Sequence, residues 1–239
     1  MILSQGQYDG KGQIYQSVNP VRRDVNKKTW HTDADIPCVM NIFIDCDAKK
    51  EDPDIPEKEL KKYAANDDEY KASWAAIDKI DRWVISKRFK TGYSDKTGNG
   101  IRKLLPIPPI EITDSNREII PLKIKVFLDQ IRNDTGLSLD AVHDPRRITG
   151  VPTTLNKKLE TSTRNNRTRE PMHLIPERDE DSKLRDHILQ LKYRESEPSS
   201  LKEENTQTTK GLDHWLAKDP KLNELFSGRI GIVSKIDFL

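Results

Sequence analysis

Cysteine is scarce in this 239-residue sequence, and long apolar runs are missing. The two cysteines, Cys38 and Cys46, belong to no CxxC or cysteine–histidine cluster, which argues against a zinc site and a disulfide framework and favours a reducing compartment. No segment has the length and apolar composition of a membrane span, and the N-terminus lacks the apolar stretch of a signal peptide. The sequence therefore predicts a cytoplasmic protein without a membrane partner.

An excess of charge of one sign is also lacking. The 41 basic and 39 acidic residues leave a net charge of +2, so a nucleic-acid partner would have to be bound by a local patch. Hydrophobic residues make up 34% and charged residues 33% of the chain, which indicates one apolar core together with a solvated stretch. The length suffices for one sizeable domain with a small appendage.

A few apolar segments predict the core of an α/β (α+β) fold. Residues 38–44 form a near-continuous apolar run, typical of a strand buried on both faces. Residues 57–90 carry apolar side chains at helical spacing, and residues 115–132 combine a capping-box pattern with a second helical stripe. Residues 104–110 are apolar but interrupted by prolines, which predicts a short strand or one at the edge of a sheet.

The composition changes after Asn156, where polar and charged stretches contain few large apolar residues. This pattern is typical of a linker or mobile loop, and it surrounds one short helix predicted near residues 180–193. The predicted organisation is an α/β domain over residues 1–165, a charged linker with a short helix over 166–210, and the start of a helical C-terminal module over 211–239.

Two aspartates at the end of the first apolar run point to metal chemistry. Asp45 and Asp47 lie two residues apart, so in a strand both carboxylates point to the same face. Hard oxygen ligands of this kind suit Mg²⁺ or Mn²⁺, although aspartates also commonly end strands. Asp140 follows another alternating apolar segment, and a third carboxylate beside the first two would make a site for two divalent ions.

The stretch TGNGIRKLLPIP, residues 97–108, allows two interpretations. Its glycines suit a tight turn that leads into a strand. They also suit a loop whose backbone amides hold an anion, with Arg102 as a fixed positive charge. Both interpretations stay open at this point.

A basic segment follows Asp140. It supplies arginine and lysine side chains amid threonines and an asparagine, a mixture suited to phosphate contacts but also found in solvated loops. Its members are Arg146, Arg147, Thr153, Thr154, Asn156, Lys157 and Lys158.

Taken in order along the chain, these motifs resemble the archaeo-eukaryotic primase superfamily, in particular the primase–polymerases of plasmids, viruses and other mobile elements. IFIDCDAKK resembles the first family motif, a strand that ends in a metal-binding acidic pair. TGNGIRKLLPIP resembles the second, a Gly-x-Gly loop followed by a histidine and a strand. LDAVHDPRRITGVPTTLNKK resembles the third, and QIYQSVNPV resembles the strand that often precedes the first. The resemblance covers residues 13–158.

The resemblance implies a primase–polymerase catalytic domain over residues 1–165. Its core would be a small antiparallel sheet with helices, like an RNA-recognition fold, joined to an N-terminal α/β unit. Its activity would be template-directed nucleotidyl transfer, in which primers are made or extended by a two-metal mechanism. The implied partners are a single-stranded DNA template and nucleoside triphosphates, and a replicative helicase is a further candidate.

The resemblance also implies roles for individual residues. The carboxylates that would hold two Mg²⁺ or Mn²⁺ ions and act as the catalytic residues are Asp45, Asp47 and Asp140. The residues that would hold the triphosphate of the nucleotide are Gly98, Asn99, Gly100 and Arg102. The residues that would contact phosphate or template are Arg147, Asn156 and Lys158.

Three positions depart from the family pattern. Arg102 replaces the histidine, Thr153 replaces a glycine, and Gly150 stands where many relatives carry a basic residue. Arginine binds phosphate well but does not exchange a proton near neutral pH. One alternative is therefore a catalytically weakened or inactive replication protein of the same fold that binds nucleotide or nucleic acid. A second is a glycosyltransferase, because a DxD pair also holds Mn²⁺ and a nucleotide sugar.

Overall fold

The computed structural model describes residues 15–22, 32–140, 142–171 and 179–193. All of them belong to one compact unit, Met1–Tyr193, and a second unit, Arg194–Leu239, lies outside the described residues together with the helical module predicted at 211–239. The described unit is a mixed α+β fold with antiparallel sheets and four helices. Among the described residues, no helix combines the length and apolar character needed to cross a membrane.

The elements follow one another along the chain, and a short 3-10 helix at Asp33–Asp35 precedes β2. The strands are β1 (Tyr15–Ser17), β2 (Cys38–Asp47), β3 (Tyr93–Lys96), β4 (Gly100–Glu111), β5 (Ile148–Gly150), β6 (Leu155–Asn156), β7 (Arg167–Thr168) and β8 (Glu170–Pro171). The helices are α1 (Glu57–Leu60), α2 (Asp67–Ser86), α3 (Ile119–Thr135) and α4 (Ser182–Gln190).

The main sheet has four strands in the order β2-β4-β3-β8, and every pairing between neighbours is antiparallel. Two smaller antiparallel pairs, β1 with β5 and β6 with β7, complete the described strands. Because side chains alternate along a strand, residues directly opposite each other share a face. Ile44 lies opposite Lys103 on one face, and Asp45 lies opposite Arg102 on the other.

Helices α2, α3 and α4 cover one face of this sheet and close the main core. Ile42, Ile44 and Leu105 from the sheet are buried against the apolar stripe of α2 that the sequence predicts. That helix begins at a capping box, in which the side chain of Asn66 accepts from the Glu69 amide and the Glu69 carboxylate accepts from the Asn66 amide. The periodic apolar residues therefore place these helices on one side of the sheet, and the other face carries polar groups beside a smaller apolar cluster around Phe43 and Leu104.

Strand β4 is longer than the sequence predicts, and its first half lies between β2 and β3. Its proline-containing half pairs with β2 alone and is therefore at an edge, as predicted. Its prolines are tolerated because β3 pairs with β4 only before the first of them. Strand β2 also changes register between Val39 and Asn41, opposite this region. At that irregularity the amides of Met40 and Asn41 donate to the side-chain oxygen of Asn19, so these donors do not need β4 as a partner.

The boundary predicted at residue 165 falls inside the compact unit. Strand β8 pairs with β3, and α4 packs on α3 and β4. The short helix is located where it was predicted, and Leu184 and Ile188 from it are fully buried in the main core. The Asp181 amide donates to the carbonyl of Pro106, which fixes the start of α4 against β4. Described residues 166–171 and 179–193 are therefore part of the folded unit.

Candidate active site

Charged side chains form a row across three strands on the face of the sheet opposite the helices. Asp45 of β2 lies opposite Arg102 of β4, and Asp95 of β3 lies opposite Arg102 on its other side. Asp47 follows Asp45 by two residues, so it lies on the same face, opposite Gly100. Strand alternation alone therefore puts the predicted acidic pair on one surface.

Asp140 is joined to the pair by hydrogen bonds that the sequence does not reveal. Its backbone amide donates to the carbonyl of Asp45 at 2.9 Å, and the Cys46 thiol lies 3.4 Å from the carbonyl of Ser138. The segment that ends at Asp140 thus runs beside β2, although it has no strand assignment. The three predicted carboxylates come together here.

Burial and mutual repulsion make this cluster electrostatically unfavourable. Burial, together with the charges of Asp47 and Asp140, raises the pKa of Asp45 to about 7. The pKa of Asp140 is raised by burial and by Asp47. The same carboxylates and burial raise the pKa of the Cys46 thiol to about 11, so this cysteine is a neutral thiol rather than a thiolate ligand.

The donor set fits a hard divalent cation by its chemistry and charge. Within the described residues, the carboxylates of Asp45, Asp47 and Asp140 accept no hydrogen bond and form no ion pair. Among the described residues, however, no group of three or more histidine, cysteine, aspartate or glutamate side chains is placed so that it could hold a metal ion as it stands. These carboxylates repel one another and are not paired with a basic side chain. Mg²⁺ and Mn²⁺ prefer oxygen ligands of this kind.

The two glycines of the predicted phosphate loop are explained by contacts within the protein. Gly98 has φ +81°, and a Cβ there would lie 2.7 Å from the carbonyl oxygen of Arg167. A Cβ on Gly100 would lie 2.4 Å from the carbonyl oxygen of Cys46 and 2.8 Å from the Cα of Asp47. Glycine is therefore required because backbone segments approach closely, and the turn interpretation accounts for both positions.

Arg102 lies at the cleft, but its guanidinium is engaged by the protein. The side chain is 2% exposed, and its Nε donates to the Asp95 carboxylate at 2.6 Å. The guanidinium also donates to the Thr149 hydroxyl and to the carbonyl of Gly150. Arg102 thus ties β3 and β5 to β4, which is a structural role that the sequence prediction did not include.

Asn99 has one fixed contact and one unused donor. Its side-chain oxygen accepts from the amide of Ala65 at 2.8 Å, which fixes the orientation of the amide group. The opposite atom, Nδ2, is buried and has no hydrogen-bond partner among the described residues. A buried donor of this kind is uncommon in folded proteins, and it suits an acceptor oxygen bound at the cleft.

A cleft of about 480 Å³, called the carboxylate cleft, collects most of the predicted site residues. The predicted residues that line it are Asp45, Asp47, Asn99, Arg102, Asp140, Arg147, Asn156 and Lys158. Gly98 and Gly100 are outside this lining. Asn156 donates to the carbonyl of Thr97 at 2.8 Å, so it also supports the glycine loop, while the Arg147 side chain makes no hydrogen bond within the described ranges.

Sequence reasoning missed two arginines near the site, Arg169 in the lining of this cleft and Arg164 beside it. Arg164, 1% exposed, forms ion pairs with Glu69 and with Asp52. Arg169 donates to the carbonyl of Leu155, and its guanidinium lies against Gly150, where a Cβ would come within 2.1 Å of Nε. Both belong to a stretch predicted as a linker, because their stabilising contacts are polar and leave no apolar pattern.

Comparisons with protein-family models, with curated proteins and with solved structures found no match for this chain. Function is therefore inferred from the chemistry of the cleft and from the resemblance of its motifs.

Proposed function

We propose that this chain is a metal-dependent nucleotidyltransferase, a primase–polymerase that makes or extends primers on a single-stranded DNA template. The observation that carries the proposal is that Asp45, Asp47 and Asp140 lie in one cleft and form no ion pair with a basic side chain among the described residues. In the reaction the 3′-oxygen of the primer forms a bond to the α-phosphorus of the incoming nucleotide, and pyrophosphate leaves. The cleft supplies groups suited to both reactants.

The three carboxylates are the residues that would hold the divalent ions. Such ions, when bound, stabilise the attacking 3′-oxygen and the pyrophosphate leaving group. Strand β2 holds Asp45 and Asp47 at fixed spacing, and the hydrogen bond from the Asp140 amide to Asp45 holds the third carboxylate beside them. The rigid strand therefore limits how far the ligands can move apart.

Cations and donors around the carboxylates suit the phosphates of a substrate. Arg147 and Lys158 line the carboxylate cleft, and Asn99 contributes the donor that has no partner. Burial of Asn99 would make a hydrogen bond to a phosphate oxygen stronger than in water. Together these groups provide attraction for an anionic ligand next to the metal-binding carboxylates.

The connectivity of the sheet supports the finer fold prediction. From β2 through α2, β3, β4 and α3 the chain follows a β-α-β-β-α order, with the strands arranged β2-β4-β3. This is the order of an RNA-recognition-type sheet, in which a fourth strand would lie beside β2. The segment that ends at Asp140 runs along that position. The resemblance to primase–polymerases implies such a sheet.

A specific observation favours a second candidate, a protein of the same fold that binds nucleotide or nucleic acid without catalysis. Arg102 replaces the family histidine, and its guanidinium is used by Asp95, Thr149 and Gly150. Arginine stays protonated near neutral pH, so Arg102 cannot take over proton exchange from a histidine. Binding would survive this replacement, while the rate of chemistry would fall.

A primer-synthesis and primer-extension assay tests the proposal. Wild-type protein with a single-stranded DNA template, Mg²⁺ or Mn²⁺, and either ribonucleotides or deoxyribonucleotides is expected to incorporate nucleotide. Asp45→Asn, Asp47→Asn and Asp140→Asn should each lower incorporation about 100-fold or more, because each removes a metal ligand. Asp54→Asn is the matched control, since Asp54 is exposed and lines no part of the carboxylate cleft.

Three results would change the assignment. Equal activity in all three cluster variants would remove the carboxylates from the reaction. Metal-dependent nucleotide binding without incorporation by the wild type would establish the second candidate instead. Turnover of a nucleotide sugar under the same conditions would replace both with a glycosyltransferase.

A further inference from the structure

A larger cavity of about 980 Å³ adjoins the carboxylate cleft and shares Asp47 and Asp140 with it. Two acidic side chains in its wall are already neutralised by ion pairs. Glu51 lies 2.6 Å from the ammonium of Lys49, and Asp52 lies 3.3 Å from the guanidinium of Arg164. The wall therefore contributes less negative charge than its composition indicates.

Three lysines in the same cavity, Lys50, Lys61 and Lys158, have no such partner, and we call this group the lysine basin. Within the described residues, the ammonium groups of Lys50, Lys61 and Lys158 form no ion pair with a carboxylate. The Lys50 ammonium donates to the carbonyl of Tyr63 at 2.7 Å, and that of Lys158 donates to the carbonyl of Lys61 at 3.2 Å. Both ammonium groups are thus fixed on carbonyls two residues apart.

The backbone holds this arrangement in place. The amide of Leu159 donates to the carbonyl of Lys62, and the amide of Ala64 donates to the carbonyl of Leu159. These bonds join the segment after α1 to the segment that carries Lys158. Burial and the nearby charge of Lys158 lower the pKa of Lys50 to about 8, although the charges of Asp47 and Glu69 oppose this shift.

We propose that Lys50, Lys61 and Lys158 bind the triphosphate of the incoming nucleotide in the cavity that shares Asp47 and Asp140 with the carboxylate cleft. This inference rests on the proposed function, because it places the substrate of that same site. In the Gly98–Arg102 loop the glycines are explained by backbone contacts and Arg102 is paired with Asp95, which leaves the Asn99 amide and Arg102 Nη2 as donors without a hydrogen bond. The lysine basin adds three cations without carboxylate partners beside the metal-binding groups.

The compact grouping of the lysines favours a nucleotide over a nucleic-acid strand. A strand carries one charge per nucleotide along its length, whereas a triphosphate concentrates several charges within a few ångströms. Lys61 and Lys158 line both cavities, so a polyphosphate held by them would lie directly beside Asp47 and Asp140. Lys61 is also close enough to Asp140 to influence its ionisation.

Titration of the full-length protein with Mg²⁺·dATP, and separately with Mg²⁺·tripolyphosphate, tests this placement. Lys61→Ala and Lys50→Ala should each weaken binding of both probes about ten-fold, the loss expected for one charge-assisted contact. Lys58→Ala is the matched control, because Lys58 lies on α1, is exposed and lines neither cavity. A single-stranded oligonucleotide serves as a third probe, and its affinity should change less than two-fold.

Lys50→Ala removes a hydrogen bond, so a folding defect in this variant would have a second explanation. Lys61→Ala avoids this problem, because the exposed Lys61 ammonium makes no hydrogen bond within the described part of the chain. Unchanged affinity for dATP in Lys61→Ala, or weakening only of the oligonucleotide, would overturn the placement. Weakened dATP binding by a protein that incorporates no nucleotide would support the lysine basin while refuting nucleotidyl transfer. The two ideas can therefore fail separately.

Discussion

Two neighbouring buried cations, one on each face of the main sheet, meet different numbers of carboxylates. Lys103 points to the helices, where its ammonium lies 2.6 Å from the Asp81 carboxylate of α2 and 2.9 Å from the Ser94 hydroxyl. Arg102, one residue earlier, points to the opposite face, where it lies between Asp45 and Asp95. Both side chains are at most 2% exposed.

The difference lies in the number of carboxylates that each cation meets. The helix face supplies one carboxylate for Lys103, so the pair is balanced within an apolar core. The open face supplies two for Arg102, and the guanidinium binds Asp95, so Asp45 keeps no ion pair. The helix face is thus built for stability, and the open face retains a carboxylate that is available to a ligand.

The largest expected effect comes from Arg102→Ala. Removal of the guanidinium leaves Asp95 buried without its partner, and it also removes the donors to Thr149 and Gly150. We expect the free energy of unfolding to fall by about 3–5 kcal/mol, measured by urea denaturation. Arg146→Ala, at an exposed arginine, is the control. A loss below that of a surface substitution would show that the charge row does not hold the open face together.

Lys103→Met is expected to cost less, about 1–2 kcal/mol in the same measurement. Methionine fills the apolar space of the lysine stem, and the Asp81 side chain, 26% exposed, stays in contact with water. The two substitutions together therefore compare a carboxylate that keeps solvent with one that does not. Equal losses in both variants would contradict the distinction between the faces.

The smallest expected effect depends on pH and concerns Asp45→Asn. The pKa of Asp45 is about 7 in the folded chain, above its ordinary value of 3.8, so between these values the folded state holds a proton that the unfolded state releases. Its contribution is therefore favourable at low pH and is lost as the pH rises through 7. The advantage of the variant in melting temperature should be larger at pH 8 than at pH 6 by roughly 3–5 °C.

Asp54→Asn provides the baseline for this comparison, because Asp54 is exposed and lines neither cavity. Added Mg²⁺ should raise the melting temperature of the wild type at pH 8 more than that of Asp45→Asn, since the cation relieves the repulsion that the amide already removes. If the difference in melting temperature between the wild type and Asp45→Asn does not vary with pH, the carboxylates do not repel one another as inferred.

Local pattern was sufficient to predict the main elements of the fold. The apolar run before Asp45 predicted β2, and the helical stripes predicted α2 and α3, because burial of one face imposes a period that is visible in the sequence. The prolines predicted that the second half of β4 lies at an edge, but its first half lies between β2 and β3, because strand order is set by tertiary packing. The linker prediction overlooked Arg164 and Arg169, whose polar contacts have no periodicity.

The sequence by itself determined that Asp45 and Asp47 share one face at the end of a strand, because alternation is a local property of extended backbone. Only the tertiary structure decided that Asp140 joins them, that Arg102 is bound by Asp95, and that Lys50 and Lys158 lie together. These pairings connect residues far apart in the chain. They depend on how the sheet, helices and loops pack, and the spacing of residues along the chain does not predict that packing.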